Sequence, residues 1–427
     1  MSAPTKRPPS SAPQRRRRGI DPQPTPGAPR VRRGTVRLAG DVAWRVRIGH
    51  PWIFREALGN RPLREGPGET VDVLDETGDF VGRGLYDPNG PIAIRVFTHR
   101  PDESLDAAGI RQRVLQAREL RQRLLPPGLT VHRIIHGEGD GIPGVVVDRY
   151  GDFLVVQLYT AAVEPLRESL YAALEEIWRP HGIYEQHRYR PQTGEGPRAP
   201  AELVRGAVAP VEVEVREGEV RFAVDVTAPL GSGLFPDLRV GRQAIGRLAA
   251  GRSVLNLFSY TGAFSLYAAR GGAREVVSVD LASKAHARAR HNLTLNGMPE
   301  QGQEFIAGDV LKVLARMAER SRRFDLVIID PPSFAQGKGQ VFVAQRDYRD
   351  LVAATLSVLA PHGLLACASN TAKIPLEEFD RIIGDGAQRG GRRLGVIERF
   401  GLPPDFPVPA GFPEGHYLKF SICAAMP

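Results

Sequence analysis

Cysteine is nearly absent, with two residues in 427, Cys367 and Cys423. So few exclude a disulfide scaffold and a Cys-based zinc site, and they suit a reducing compartment, so no metal and a cytoplasmic location are expected. No stretch approaches the roughly 18 consecutive apolar residues that a membrane span requires. The N-terminus has no apolar signal core, which argues against secretion. Lysine is scarce and arginine abundant, a bias that says little about mechanism.

The net charge of +9 is unevenly spread. Residues 1–33 hold nine basic residues (Lys6, Arg7, Arg15 to Arg18, Arg30, Arg32, Arg33) against one acid, Asp21, leaving +1 for the rest. This stretch is rich in Pro, Ser and Gln and nearly free of large apolar residues, so a disordered basic tail is expected. Such an arm suits a polyanion, because each neutralised phosphate releases a counterion. A solvated tail without a specific role fits it equally.

Residues 34–102 read as short strands separated by turns, a small β-barrel. Within it, Gly49-His-Pro-Trp-Ile-Phe54 sets aromatics beside Arg45, Arg47 and Arg55; aromatics in a small barrel are usually core, and stacking on RNA is the other candidate role for Trp52. Residues 103–229 read as an α+β middle domain: a helix over 103–125, a hairpin through Asp148-Arg-Tyr-Gly-Asp152, a helix near 163–178, a polar loop at 187–200 and a second hairpin over 211–227. The glycine-rich run Gly137 to Gly144 has no Gly-Lys-Ser/Thr ending and no following helix, so it is not a phosphate loop. From 230 to 427 strands alternate with helices, the pattern of an α/β doubly wound sheet.

The chemistry is read from the ends of those strands. The first ends in Phe258-Ser259-Tyr260-Thr261-Gly262, and the full Gly-x-Gly-x-x-Gly fingerprint for a dinucleotide pyrophosphate is missing. The second ends in Asp280, suited to ribose hydroxyls. The third ends in Gly308-Asp309-Val310, with an acid suited to an adenine amino group. The fourth, Leu326 to Ile329, stops at Asp330-Pro331-Pro332-Ser333-Phe334, where two prolines stiffen a loop carrying a carboxylate and an aromatic. One terminal Asp is more often a helix N-cap. Three in succession over a glycine-poor turn fit an adenosine without pyrophosphate, as in S-adenosyl-L-methionine.

In the order Phe-Ser-Tyr-Thr-Gly, Val-Asp, Gly-Asp-Val, Asp-Pro-Pro-Ser-Phe, the chain resembles class I S-adenosylmethionine-dependent methyltransferases. More narrowly it resembles the bacterial 23S ribosomal RNA large subunit methyltransferase I family across nearly all of 34–427. His50-Pro-Trp-Ile-Phe54, Gly137-Glu-Gly-Asp-Gly-Ile-Pro-Gly144 and Phe412-Pro-Glu-Gly-His-Tyr-Leu-Lys419 belong to the same likeness. It implies a PUA-like RNA-binding domain, a middle domain and a Rossmann-like methyltransferase sheet, with Asp280, Asp309 and Asp330 lining the cofactor site. An approach loop is matched at Gly233, Asp237 and Arg239, where Leu238 replaces the usual Gln. The implied partner is large-subunit ribosomal RNA or its precursor particle; oligomeric state, a homodimer included, stays open.

One departure concerns the reaction. Cytosine C5 is methylated only after a thiolate adds to the ring. The family's cytosine-methylating members place that Cys after the fifth strand in a Ser-Cys-Ser context. Here the matching stretch is Ala368-Ser369-Asn370-Thr371, and the other position used by RNA cytosine-C5 enzymes is Ser333. Cys367 lies three residues before Asn370, on the opposite strand face. Ser369-Asn370 with Lys373 and Gln345-Arg346-Asp347 resembles instead the 23S guanine-N7 methyltransferases. The expected target is therefore a ring or amino nitrogen, guanine N7 foremost, with Phe334 stacked on an extruded base and Asn370 and the Asp330-Pro331-Pro332 carbonyls on its edge. The alternatives are cytosine-C5 methylation and a non-catalytic RNA-binding or ribosome-assembly protein.

Overall fold

The short β-branched runs form strands of three main sheets in a computed structural model that describes residues 34–59, 63–189, 199–229, 231–332, 334–336 and 341–426. The basic tail, Ser333 and most of the polar loop at 187–200 lie outside the described residues. Residues 34–427 group as one compact unit.

The first sheet has five strands, in the order Gly34–Arg37, Thr70–Leu74, Phe80–Tyr86, Ile92–Thr98, Trp52–Phe54. The barrel segment also holds a helix, Gly40–Arg47, where strands and turns alone were expected. Ala43 and Val46 turn inward, and Trp44 stays 61% exposed. The middle sheet is ordered Glu202–Gly206, Gly182–His187, Phe153–Leu158, Val145–Tyr150, Val131–His136. Helix Ala107–Leu124 precedes it, capped by Asp106, whose side chain accepts from Gly109 N at 2.9 Å. The hairpin Val213–Glu217 and Val220–Val224 leads into the last domain.

Seven strands make the last sheet: β1 (Ser253–Leu257), β2 (Glu275–Asp280), β3 (Gln303–Ala307), β4 (Phe324–Ile329), β5 (Leu359–Ser369), β6 (Arg393–Phe400) and β7 (Lys419–Met426). Their order is β3-β2-β1-β4-β5-β7-β6, parallel from β3 to β5, with β7 antiparallel to both neighbours. Every residue of β1 is buried, as a parallel strand covered on both faces must be. Val254, Leu326 and Ala366 serve the core on one face; Leu255, Leu257, Val327 and Cys367 serve the other. Strand order reverses between β1 and β4, and the crevice beyond their carboxyl ends is where such sheets take ligands.

Candidate active site

Three motifs far apart in sequence meet at the junction of the sheets. Trp52 Nε1 donates to Glu138 Oε1 at 2.7 Å, and its ring meets Phe412 edge-on at 4.5 Å. His50 Nε2 lies 3.2 Å from Glu414 Oε2. An indole N–H that is half-buried needs an acceptor, and this one finds it across a domain boundary. Thus Trp52, a candidate for either the barrel core or RNA stacking, joins the first sheet to the 137–140 turn and to the segment before β7. Arg55 is likewise committed, donating to Gly90 O at 2.9 Å and Asp87 O at 2.5 Å. Arg47 pairs with Asp75 at 2.6 Å, and Arg45 stands 3.6 Å from Glu414; both stay largely exposed. Trp44 beside them is the exposed aromatic that the sequence reading passed over.

Behind this junction lies a buried charge network. Asp405, fully buried, binds the Arg239 guanidinium and accepts from Arg133 N at 2.9 Å. Arg121 binds Asp140 and donates to the Asp405 carbonyl at 2.8 Å. Arg239, expected at the cofactor, therefore spends its guanidinium on an internal carboxylate. Arg133 pairs with Asp148 at 2.9 Å and lies over the Phe406 ring at 4.3 Å.

The turn after β1 is tight. Phe258, Tyr260 and Gly262 have φ of 58°, 47° and 75°. Gly262 is required by packing: a Cβ there would lie 2.7 Å from that of Ala289. Asp280, ending β2, folds the turn back by accepting from Tyr260 N at 2.8 Å and Ala282 N at 2.9 Å. Each carboxylate oxygen keeps a further lone pair for a ligand hydroxyl. The Ser259 side chain is buried, while Phe258 and Tyr260 are half-buried, and the Tyr260 hydroxyl donates to Gly231 O at 3.2 Å. Asp309 does cap the helix Val310–Glu319, accepting from Lys312 N at 3.0 Å through Oδ1, and Val310 is buried. Capping does not exhaust Asp309, which is exposed and whose Oδ2 has no part in the cap.

Asp330, half-buried at the end of β4, feels the charge of a second carboxylate, Asp237. Burial, then the like charge of Asp237, pushes its pKa up to about 7, against the opposing pull of Arg242. Asp237 is itself raised by burial, opposed by Arg133. The Tyr417 hydroxyl donates to Asp237 Oδ2 at 3.0 Å, while Oδ1 is buried without a partner among the described residues. Two carboxylates that raise one another's proton affinity favour a cation nearby. Tyr417 was not singled out from sequence; its partner lies 180 residues away.

Pro331 is buried and Pro332 exposed. Beyond them the backbone of Phe334–Gln336 pairs with Val341–Val343 in a short hairpin that the sequence reading had not anticipated. The Phe334 side chain lies outside what the structure describes. Asn370 is exposed directly after β5, whose end is held by the Tyr348 hydroxyl donating to Ala368 O at 2.8 Å. Cys367 and Cys423 are both fully buried, and burial, then hydrogen bonding and charge interaction with Cys423, raises the Cys367 thiol well above its ordinary range. A buried, protonated thiol is a poor nucleophile. Among the described residues no cluster of side chains could hold a metal ion, and no helix is long and apolar enough to cross a membrane.

Residues 134–413 match the family of S-adenosylmethionine-dependent methyltransferases. The chain belongs to that family. Residues 36–99 match the PUA-like domain, so the architecture is a PUA-like domain followed by a Rossmann-like methyltransferase sheet, and the cofactor is S-adenosylmethionine. The methyltransferase is 36% identical over 394 residues to the ribosomal RNA large subunit methyltransferase I of Tolumonas auensis, covering 92% of this chain and 99% of that one. The protein of that name from Escherichia coli O139:H28 is 36% identical over 378 residues, covering 88% and 96%. Among solved structures, a methyltransferase complexed with SAH superposes with a TM-score of 0.84 at 25% identity, covering 92% of this chain and all of the other. The residues present fit the cofactor: acids at the ends of β2 and β3 for an adenosine, and the Asp237 and Asp330 carboxylates for a cationic end.

Proposed function

We propose that this methyltransferase modifies a guanine of large-subunit ribosomal RNA at N7. The observation that carries the choice of atom is Asn370, exposed after β5 beside the Asp330-Pro331-Pro332 loop, while both cysteines are sealed in the core. Support for the RNA class comes from the relatives named for large-subunit ribosomal RNA and from the PUA-like domain.

S-adenosylmethionine supplies an electrophilic methyl group on a sulfonium. Asp280 accepts its ribose hydroxyls, Asp309 its adenine amino group, and Phe258 to Gly262 form the turn on which the adenosine rests. Asp237 and Asp330 hold the cationic end. Asn370 and the Asp330-Pro331-Pro332 carbonyls would hold the guanine edge, and positioning N7 against the methyl donor would by itself lower the barrier. Methyl transfer to N7 would need neither a thiolate nor a proton acceptor from the chain, since the sulfonium would leave as the neutral thioether. Phe334 is assigned to stacking on the extruded base. Arg45, Arg47 and the exposed Trp44 form the outer RNA contact.

Two measurements test this assignment. Asp280→Ala should weaken S-adenosylmethionine binding about 30-fold in calorimetry, the loss of charge-assisted hydrogen bonds to two hydroxyls. Unmodified large-subunit RNA given labelled cofactor and the purified enzyme should gain label at guanosine, with the modified site cleaved by borohydride and aniline. Label in cytidine, or cofactor binding without turnover on naked RNA and on assembled subunits, would refute the reading.

A further inference from the structure

Only six of the 57 basic residues are lysines, and Lys419 is buried, with a residue exposure of 5%. It opens β7, opposite Ser369 in register. Its ammonium donates to the Tyr417 carbonyl at 2.8 Å and to the Thr371 carbonyl. Among the described residues it has no carboxylate partner. Its nearest titratable neighbour on its own segment is Tyr417, whose carbonyl it binds, and across β5 it faces the uncharged Ser369. Burial alone lowers its pKa to about 8.

An ammonium buried without a counter-ion is unfavourable for folding, and an apolar side chain of equal length would fill the space better. Stability alone therefore gives no reason for a charge here. The two carbonyls it binds do. Thr371 follows Asn370 in the loop after β5. Tyr417 carries the hydroxyl that holds Asp237. A single cation thus ties the loop at the target base to the segment at the cofactor, through charge-assisted bonds that a neutral donor makes more weakly.

We propose that Lys419 is a positioning residue for methyl transfer, clamping the carbonyls of Thr371 and Tyr417 so that Asn370 and Asp237 are held in register across the site. This inference rests on the reading of Asn370 as a base-contacting residue. Charge-assisted clamping also makes the transfer step pH-sensitive: it is strongest below about pH 8 and declines as the ammonium deprotonates above it.

The test compares Lys419→Met, Lys419→Arg and Asn370→Ala in single-turnover methyl transfer to large-subunit RNA from cells lacking the gene. Lys419→Met should slow transfer on the order of 30-fold, with a clearly smaller loss of cofactor affinity and the urea midpoint unchanged or higher. Lys419→Arg, charged at every accessible pH, should keep about a third or more of the rate and lose the decline above pH 8. A wild-type rate in Lys419→Met overturns the proposal. So does a rate loss matched by equal losses of cofactor affinity and stability, or an Arg variant as slow as the Met variant with a normal midpoint. If Lys419→Met keeps its rate while Asn370→Ala loses it, the clamp fails and the base-contact reading stands. If Asn370→Ala also keeps its rate, that reading has failed.

Discussion

Asp330→Asn should make the protein more stable at pH 8 and nearly inactive. The carboxyl binds its proton more tightly in the folded chain, near pH 7, than in the unfolded chain, near 3.8. The folded state therefore loses stability as pH rises from about 4 to about 7, and the full cost is present above that window. One pKa unit corresponds to about 1.4 kcal/mol; after discounting for partial exposure, removing the charge should recover about 2 kcal/mol at pH 8 and almost nothing at pH 4. Urea denaturation of the cofactor-free protein at both pH values measures this. The same change removes half of the carboxylate pair that receives a cation, so methyl transfer should fall on the order of 100-fold. An Asn variant with unchanged stability at pH 8, or with wild-type turnover, contradicts this account of the Asp237–Asp330 pair. Stability surrendered at a site is the expected sign of binding machinery.

Asp405→Ala should have the opposite character, with a large loss of stability first and of activity only as a consequence. Asp405 is fully buried and answers both the Arg239 guanidinium and the Arg133 backbone N–H. Removing it leaves a buried cation unpaired, which costs about 3–5 kcal/mol. Removing both charges together, as Arg239→Met with Asp405→Leu, should return most of that loss, because the desolvation of two ions disappears with their attraction. Urea midpoints of the single and double variants decide the matter. A double variant as unstable as Asp405→Ala would mean that the Arg133 backbone contact, not the ion pair, carries the energy.

The alternating sheet and its acid-tipped strands were legible because their information is local. Leu326 to Ile329 is a short apolar run stopped by two prolines, and Asp280 and Asp309 stand where a strand meets a turn. The two hairpins of the middle segment and the helix at Ala107–Leu124 were readable for the same reason. Long-range pairing was not. Nothing near Asp237 in sequence names Tyr417, and nothing near Arg239 names Asp405, 166 residues away. The helix Gly40–Arg47 was missed because only Ala43 and Val46 of its eight residues are buried, too few for a helical period to stand out among short strands. For Trp52 the sequence left a core role and base stacking both open, and the acceptor for its N–H, Glu138, 86 residues away, could be found only in the structure. The absent cysteine motif was legible, since it required only that Asn370 be read in place. The depth at which Cys367 is buried was a matter of packing and came from the structure.

The central claim is that this enzyme methylates guanine N7 in large-subunit ribosomal RNA. Nucleoside mass spectrometry of that RNA, from cells with and without the gene, tests it most directly. Loss of one 7-methylguanosine per subunit in the cells lacking the gene, restored by the wild-type gene and not by Asn370→Ala, is the predicted result. Loss of 5-methylcytidine with 7-methylguanosine intact would contradict it.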